Sequence, residues 1–213
     1  MLDFGADETI DLDGGALRYW PHWLGAGEAD RLMAELRETV NWQQSHIRIA
    51  GRCIPVPRLN AWYGDAGADY SYSGVALATQ PWLPVLRCLK ARVEESTGER
   101  FNSALLNLYR DGRDSVDWHS DDEPELGRRP QVASVSLGCS RRFELRHRQR
   151  RAGPCKLVLG HGSLLLMSGA IQHNWQHRVP KERGVQGERI NITFRRVEPR
   201  PNNKTDNSGG QKP

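Results

Sequence analysis

The chain has 213 residues, 26% of them charged and 38% hydrophobic, a composition that suits one globular domain with a substantial core and excludes fibrous and wholly disordered classes. Lys and Arg number 30 against 26 Asp and Glu, so the formal charge of +4 permits a polyanionic partner without demanding one. No apolar run approaches the ~20 residues of a membrane span. The acidic start MLDFGADETIDLDGG lacks a secretory pattern. We therefore expect no membrane association, a cytoplasmic location (nuclear in a eukaryote) and a monomer.

Residues 1–25 read as an irregular arm with a short strand. Glu28 to Val40 places Leu32, Leu36 and Val40 at helical spacing with charges between them, which predicts an amphipathic helix. The stretch 43–74 is rich in aromatics and glycines and reads as hairpins and loops more than core. A second helix is expected over Pro81 to Ser96, with Leu83, Leu86, Leu89 and Val93 as its stripe, Pro81 in its first turn and Gly98 as its stop. From Phe101 on, short apolar or alternating segments (SALLNLY, QVASVSL, RFELRH, CKLVL, SLLLMS, RINITFRRV) are punctuated by turn residues, which predicts an antiparallel sandwich or barrel. The segment from Glu198 lacks large apolar residues and reads as a disordered tail, 198–213. The cysteines Cys53, Cys88, Cys139 and Cys155 form no CxxC pair, which suits small thiols in a reducing compartment better than disulfides or structural zinc.

One segment carries chemistry. In YRDGRDSVDWHSDDE, His119 and Asp121 stand two apart, so on an extended backbone both point to the same side and can reach one ion. The HxD spacing alone is common by chance, and a third ligand must come from His147, His161, His173 or His177. Two His and one carboxylate on one face of an ion is the arrangement of non-haem Fe(II) oxygenases, which leaves positions open for a cosubstrate and oxygen. The last strand strengthens this reading. Arg189, Asn191, Thr193 and Arg195 share one face, and Ile190, Ile192 and Phe194 share the other. Two arginines on a half-inward face are costly unless paired with anions, and a dicarboxylate would satisfy both. Asn107 and Tyr109 also stand two apart and could face the same pocket.

Together, HSD at 119–121, the distal His in WQHRVP, and RINITFR at 189–195 resemble the H-x-D…H…R-x5-R signature of the AlkB family of Fe(II)/2-oxoglutarate dioxygenases. NLYRDG, HSDDE and PRLNAWYGDAGADYSYSG extend the likeness over about residues 43–197, towards the subgroup of AlkB homologues 2 and 3. The resemblance implies an α+β fold with a double-stranded β-helix (jelly-roll) core and helices packed on one face. It implies a catalytic domain over 26–197, with nucleotide-recognition hairpins at 43–74. Iron falls to His119, Asp121 and His177; His177 is preferred to His173 because Arg178-Val179-Pro180 follows it. Asn107, Tyr109, Arg189, Asn191, Thr193 and Arg195 would cradle 2-oxoglutarate. Ala50, Gly51, Arg52, Tyr70, Ser71, Tyr72, Asp122 and Glu123 would face the nucleic acid, with Asp122 against a flipped base and Tyr70 to Tyr72 walling its pocket.

The implied activity is oxidative removal of N-alkyl groups from bases such as 1-methyladenine and 3-methylcytosine in DNA, with Fe(II), O2 and 2-oxoglutarate. At the hairpin 49–52, small Ala50 stands where a duplex-specific homologue would carry a bulky aromatic, so single-stranded DNA or RNA becomes a candidate substrate. Arg48, Arg52, Arg58, Arg110, Arg113 and Lys181 could reach phosphates. The alternatives are an oxygenase acting on RNA or on a protein side chain, and a non-enzymatic nucleic-acid-binding module.

Overall fold

The computed structural model describes residues 7–49, 51–68, 70–72, 75–77 and 79–198, so Ala50 and residues 199–213 of the expected tail lie outside the described residues. The chain opens with β1 (Glu8–Leu12), β2 (Gly15–Trp20) and α1 (Ala26–Thr39). The hairpin β3 (His46–Ile49) and β4 (Arg52–Pro55) follows, then β5 (Leu59–Gly64) and the short pair β6 (Tyr70–Tyr72) and β7 (Val75–Leu77). After α2 (Pro84–Thr97) come β8 (Ser103–Tyr109), β9 (Val116–His119), β10 (Val132–Gly138) and β11 (Arg141–His147). The chain continues through β12 (Cys155–Leu159), β13 (Ser163–Gly169), the single turn α3 (Ile171–Asn174), β14 (Trp175–Val179) and β15 (Arg189–Arg195).

Two antiparallel sheets carry the architecture. The larger has the order β1-β2-β13-β10-β15-β8-β5 and the smaller β12-β11-β14-β9. One face of the large sheet packs under α1 and α2: Leu32, Leu36, Leu86 and Leu89 meet Leu106, Val135, Leu164 and Ile192 in a single buried cluster. Its other face meets the small sheet across Leu17, Leu165, Met167, Phe143, Leu145, Leu157 and Trp175. β8 is therefore buried along its whole length, and so reads as a continuous apolar run instead of an alternating one.

Three expectations need correction. Residues 8–20 do not form an irregular arm: β1 and β2 are a hairpin turned at Asp13-Gly14, and β2 pairs with β13 from Leu164↔Trp20 to Gly169↔Gly15. The stretch 43–74 is not only surface hairpins, because β5 pairs with β8 and buries Ala61, Trp62 and Tyr63. Trp62 is tolerated there because its indole N–H donates to the Ala68 carbonyl at 3.0 Å. The second helix starts on Pro84, not Pro81: a proline holds the residue before it extended, and Leu83 at φ −65°, ψ 146° is the N-cap. Gly98 ends that helix in the left-handed region at φ 77°, as a stop glycine should.

Candidate metal centre and cosubstrate cavity

His119 ends β9, and β9 pairs with β14 in a register that sets His119 directly opposite His177. Their rings lie 4.3 Å apart. Asp121 follows two residues later, its backbone N–H held at 3.0 Å by the Gln172 side-chain oxygen. One ligand atom from each of His119, Asp121 and His177 lies within 4.8 Å of the others. A backbone carbonyl can only accept, so the 2.8 Å contact from His119 Nδ1 to the Asp117 oxygen fixes that proton on Nδ1. The neutral ring then presents the Nε2 lone pair to the cluster.

The electrostatics match a divalent cation. Burial pushes the His119 imidazole below its usual value. Burial, and the neighbouring His119, push His177 down to about 3. Burial alone would raise the Asp121 carboxyl, but the Arg195 guanidinium and the two imidazoles override it and hold the group at about 2. At neutral pH the cluster is thus two neutral imidazoles and one carboxylate, the protonation state a metal requires. An ordinary histidine ionises near 6.5 and must first shed a proton; these do not. Co(II) affinity measured by calorimetry should stay flat from about pH 7.5 to about pH 6. A tenfold loss over that interval would contradict the assignment.

The other histidines are engaged elsewhere. His147 faces Asp13 at 3.0 Å. His161 Nδ1 accepts from the Gly138 N–H at 2.8 Å. His173 contacts the Arg128 carbonyl.

Opposite the cluster, the inner face of the large sheet completes a cavity. Its lining includes His119, Asp121 and His177 with Asn107, Tyr109, Arg189, Asn191, Thr193 and Arg195. The pairings Asn191↔Asn107 and Arg189↔Tyr109 set these polar residues side by side, while Ile190, Ile192 and Phe194 face the helices. The two arginines differ. Arg195 donates to Asp121 Oδ1 at 2.8 Å, so part of its charge is taken up inside the protein. Arg189 is 1% exposed, lies over the Tyr109 ring and gives Nη2 to Ser136 at 2.9 Å. Its Nε and Nη1 are buried without a hydrogen-bond partner. Such groups are costly unless an anion meets them, and a carboxylate fits the fork. Asn191 is tied to Ser134 and Val135, and Thr193 donates to Asn191, so this pair stiffens the wall.

Of the expected nucleic-acid residues whose side chains are described, Gly51, Arg52, Asp122 and Glu123, none lines this cavity. Asp122 is exposed and pairs with Arg148. Glu123 is half-buried outside the lining. Gly51 and Arg52 are exposed on the β3–β4 hairpin, where Gly51 turns at φ 78° and Ile54 stands 40% exposed. Tyr70, Ser71 and Tyr72 form β6, and Ala50 lies outside the described residues.

Sequence reasoning missed Arg58 and Gln172. Arg58 is not a surface phosphate contact. It is 4% exposed, lines the cavity and donates from Nε to Asn107 Oδ1 at 2.8 Å. Arg110 and Arg113 are tied to Asp114 and Asp111.

The 2OG-Fe(II) oxygenase superfamily pattern matches residues 16–195. The chain belongs to that superfamily. Relatives include the alpha-ketoglutarate-dependent dioxygenase alkB homolog 3 of Rattus norvegicus, 44% identical over 91% of this chain and 68% of that one. The Homo sapiens protein of the same name is 46% identical over 85% and 66%. The DNA oxidative demethylase ALKBH2 of Homo sapiens is 39% identical over 82% and 70%. The chain thus spans about two thirds of the length of these relatives. The solved structure of OsALKBH1 superposes at TM-score 0.61 and 14% identity, over 89% of this chain and 100% of that one, a likeness of fold. The jelly-roll expectation holds, and Fe(II), 2-oxoglutarate and O2 are the superfamily's cofactors. Among the described residues, no helix is long and apolar enough to cross a membrane.

Proposed function

We propose that this Fe(II)/2-oxoglutarate oxygenase removes N-alkyl groups from damaged bases in nucleic acid, with single-stranded DNA as its substrate. The observation that carries the oxygenase chemistry is the His119, Asp121, His177 cluster facing Arg189, whose two partnerless nitrogens, Nε and Nη1, await a carboxylate. The names and identities of the relatives support the substrate class.

In this reading His119, Asp121 and His177 hold iron, and Arg189 with Tyr109 and Asn107 receives the far end of 2-oxoglutarate. When bound, the iron and cosubstrate supply the oxidising chemistry that places a hydroxyl on the N-alkyl carbon, from which an aldehyde departs. The chain's own residues do the rest. Arg195 keeps Asp121 ionised. Gln172 fixes the Asp121 backbone. Phe143, Leu159, Met167 and Val179 keep the cavity poor in water. The exposed hairpin with Arg52 and Ile54 meets the strand, and β6 with Tyr70, Ser71 and Tyr72 walls the base. Asp122, beside the metal ligand, faces the alkylated ring, and Glu123 stands next to it.

Mass spectrometry of oligonucleotides carrying 1-methyladenine, as single-stranded DNA, duplex DNA and RNA, tests this. Loss of one methyl group only when iron and 2-oxoglutarate are both present is expected, fastest on single-stranded DNA. Methyl groups left intact on all three would sink the reading. Asp122→Ala should abolish repair while 2-oxoglutarate still decays without substrate; full repair by that variant would remove Asp122 from the site.

A further inference from the structure

The exposed carboxylate of Asp122 is occupied. Arg148, just beyond β11, pairs with it and donates from the same nitrogen to Ser120 Oγ at 2.8 Å. Ser120 in turn donates to the Trp175 carbonyl at 2.8 Å. The Arg148 backbone N–H is fixed to the Asn174 carbonyl at 2.8 Å, so the guanidinium is delivered to this spot by a pinned main chain. Arg148 thus brackets Asp121 through its two sequence neighbours. The side chains of the pair are 39% and 35% exposed, so water competes for both charges and the pair is readily displaced.

Arg148 also borders a groove of about 510 Å³, lined by Arg146, His147, Arg148, Arg150 and Gln176 among others, with no carboxylate among the described residues of the lining. Arg146 is committed to an uncharged partner, the Gln176 side-chain oxygen, at 2.7 Å. With Arg148 held by Asp122, His147 facing Asp13 and Arg146 on a neutral partner, the groove is still predominantly cationic beside the turn that carries Asp121, and a phosphate backbone is the complementary partner.

We propose that Arg148 determines specificity by ion exchange, an inference that rests on the dealkylation reading above. An adenine or cytosine alkylated on its ring nitrogen carries a positive charge, and it replaces Arg148 as the counter-ion of Asp122. The released guanidinium turns into the groove and takes a phosphate of the flanking strand. A neutral base cannot replace the cation, so Arg148 stays on Asp122 and that phosphate contact is not made. A charged lesion is rewarded twice, once at the base and once at the backbone.

The experiment is equilibrium binding by fluorescence anisotropy across a salt series. Iron- and 2-oxoglutarate-loaded protein is kept anaerobic so that no turnover occurs. The single strands carry 1-methyladenine (cationic), ethenoadenine (neutral) or adenine. In wild type, log K against log salt should be steeper for the 1-methyladenine strand than for the ethenoadenine strand by about 0.7, the value of one phosphate on a single strand. In Arg148→Gln the two slopes should coincide, with the cationic strand still preferred through Asp122. In Asp122→Asn they should coincide at the steeper value, because Arg148 is then released for every strand, and the cationic preference should be lost. Preference for 1-methyladenine with equal wild-type slopes, or a slope difference that survives Arg148→Gln, overturns the exchange alone. No wild-type preference for 1-methyladenine over adenine overturns the dealkylation reading and the exchange with it.

Discussion

Replacing Arg189 with methionine is expected to raise KM for 2-oxoglutarate by roughly 30-fold to several thousand-fold, the equivalent of about 2–5 kcal/mol for truncating a buried, hydrogen-bonded charge partner. Methionine fills much of the stem's volume and brings no charge. The same variant should be no less stable than wild type in the absence of cosubstrate. Burial pushes the Arg189 guanidinium below its usual value, and the nearby Arg141 charge adds to this. Two of its nitrogens are unmatched, so the empty protein carries a buried cation that methionine removes. KM from 2-oxoglutarate titrations, with thermal melts of the protein lacking cosubstrate, checks both halves. An unchanged KM would take Arg189 out of the cosubstrate site.

Asp121→Asn and His177→Ala should both abolish turnover, by on the order of a thousandfold or more, but should differ in the metal-free protein. Asp121 is 1% exposed and Arg195 is 3% exposed, and they are bonded at 2.8 Å. Neutralising Asp121 removes the charged partner that the buried guanidinium holds at 2.8 Å and should cost about 3 kcal/mol of stability. His177 is neutral and its Nδ1 has no hydrogen-bond partner, so its removal forfeits packing but leaves no orphaned charge. Denaturant unfolding of the two metal-free variants separates them. Equal stability would mean that the buried Arg195–Asp121 pair contributes nothing to the metal-free fold.

Much of this site was legible because it lies on one strand. The period-2 alternation of RINITFR sorted Arg189, Asn191, Thr193 and Arg195 from Ile190, Ile192 and Phe194, and β15 presents those two sets to the cavity and the helices. The HxD spacing likewise anticipated that His119 and Asp121 meet at one point. What periodicity could not supply was partnership between distant segments. Arg58 precedes β5 outside any alternating run, and its role comes from Asn107, 49 residues away across the sheet. Gln172 sits in a single helical turn, and only the return of β14 brings it to Asp121. The N-terminal hairpin was hidden for a similar reason. Its first strand is largely exposed and weakly patterned, although Asp13-Gly14 was an available turn signal. Sequence spacing misplaces the helix start at Pro81, although Pro84, which holds Leu83 extended as the N-cap, stands three residues on.

The most direct measurement is anomalous diffraction from crystals of this chain soaked with Mn(II) and 2-oxoglutarate. A single strong peak bounded by His119, Asp121 and His177 is expected, with the cosubstrate's distal carboxylate against Arg189. A cavity without such a peak, or a metal bound through His173 or His147 instead, would contradict the assignment.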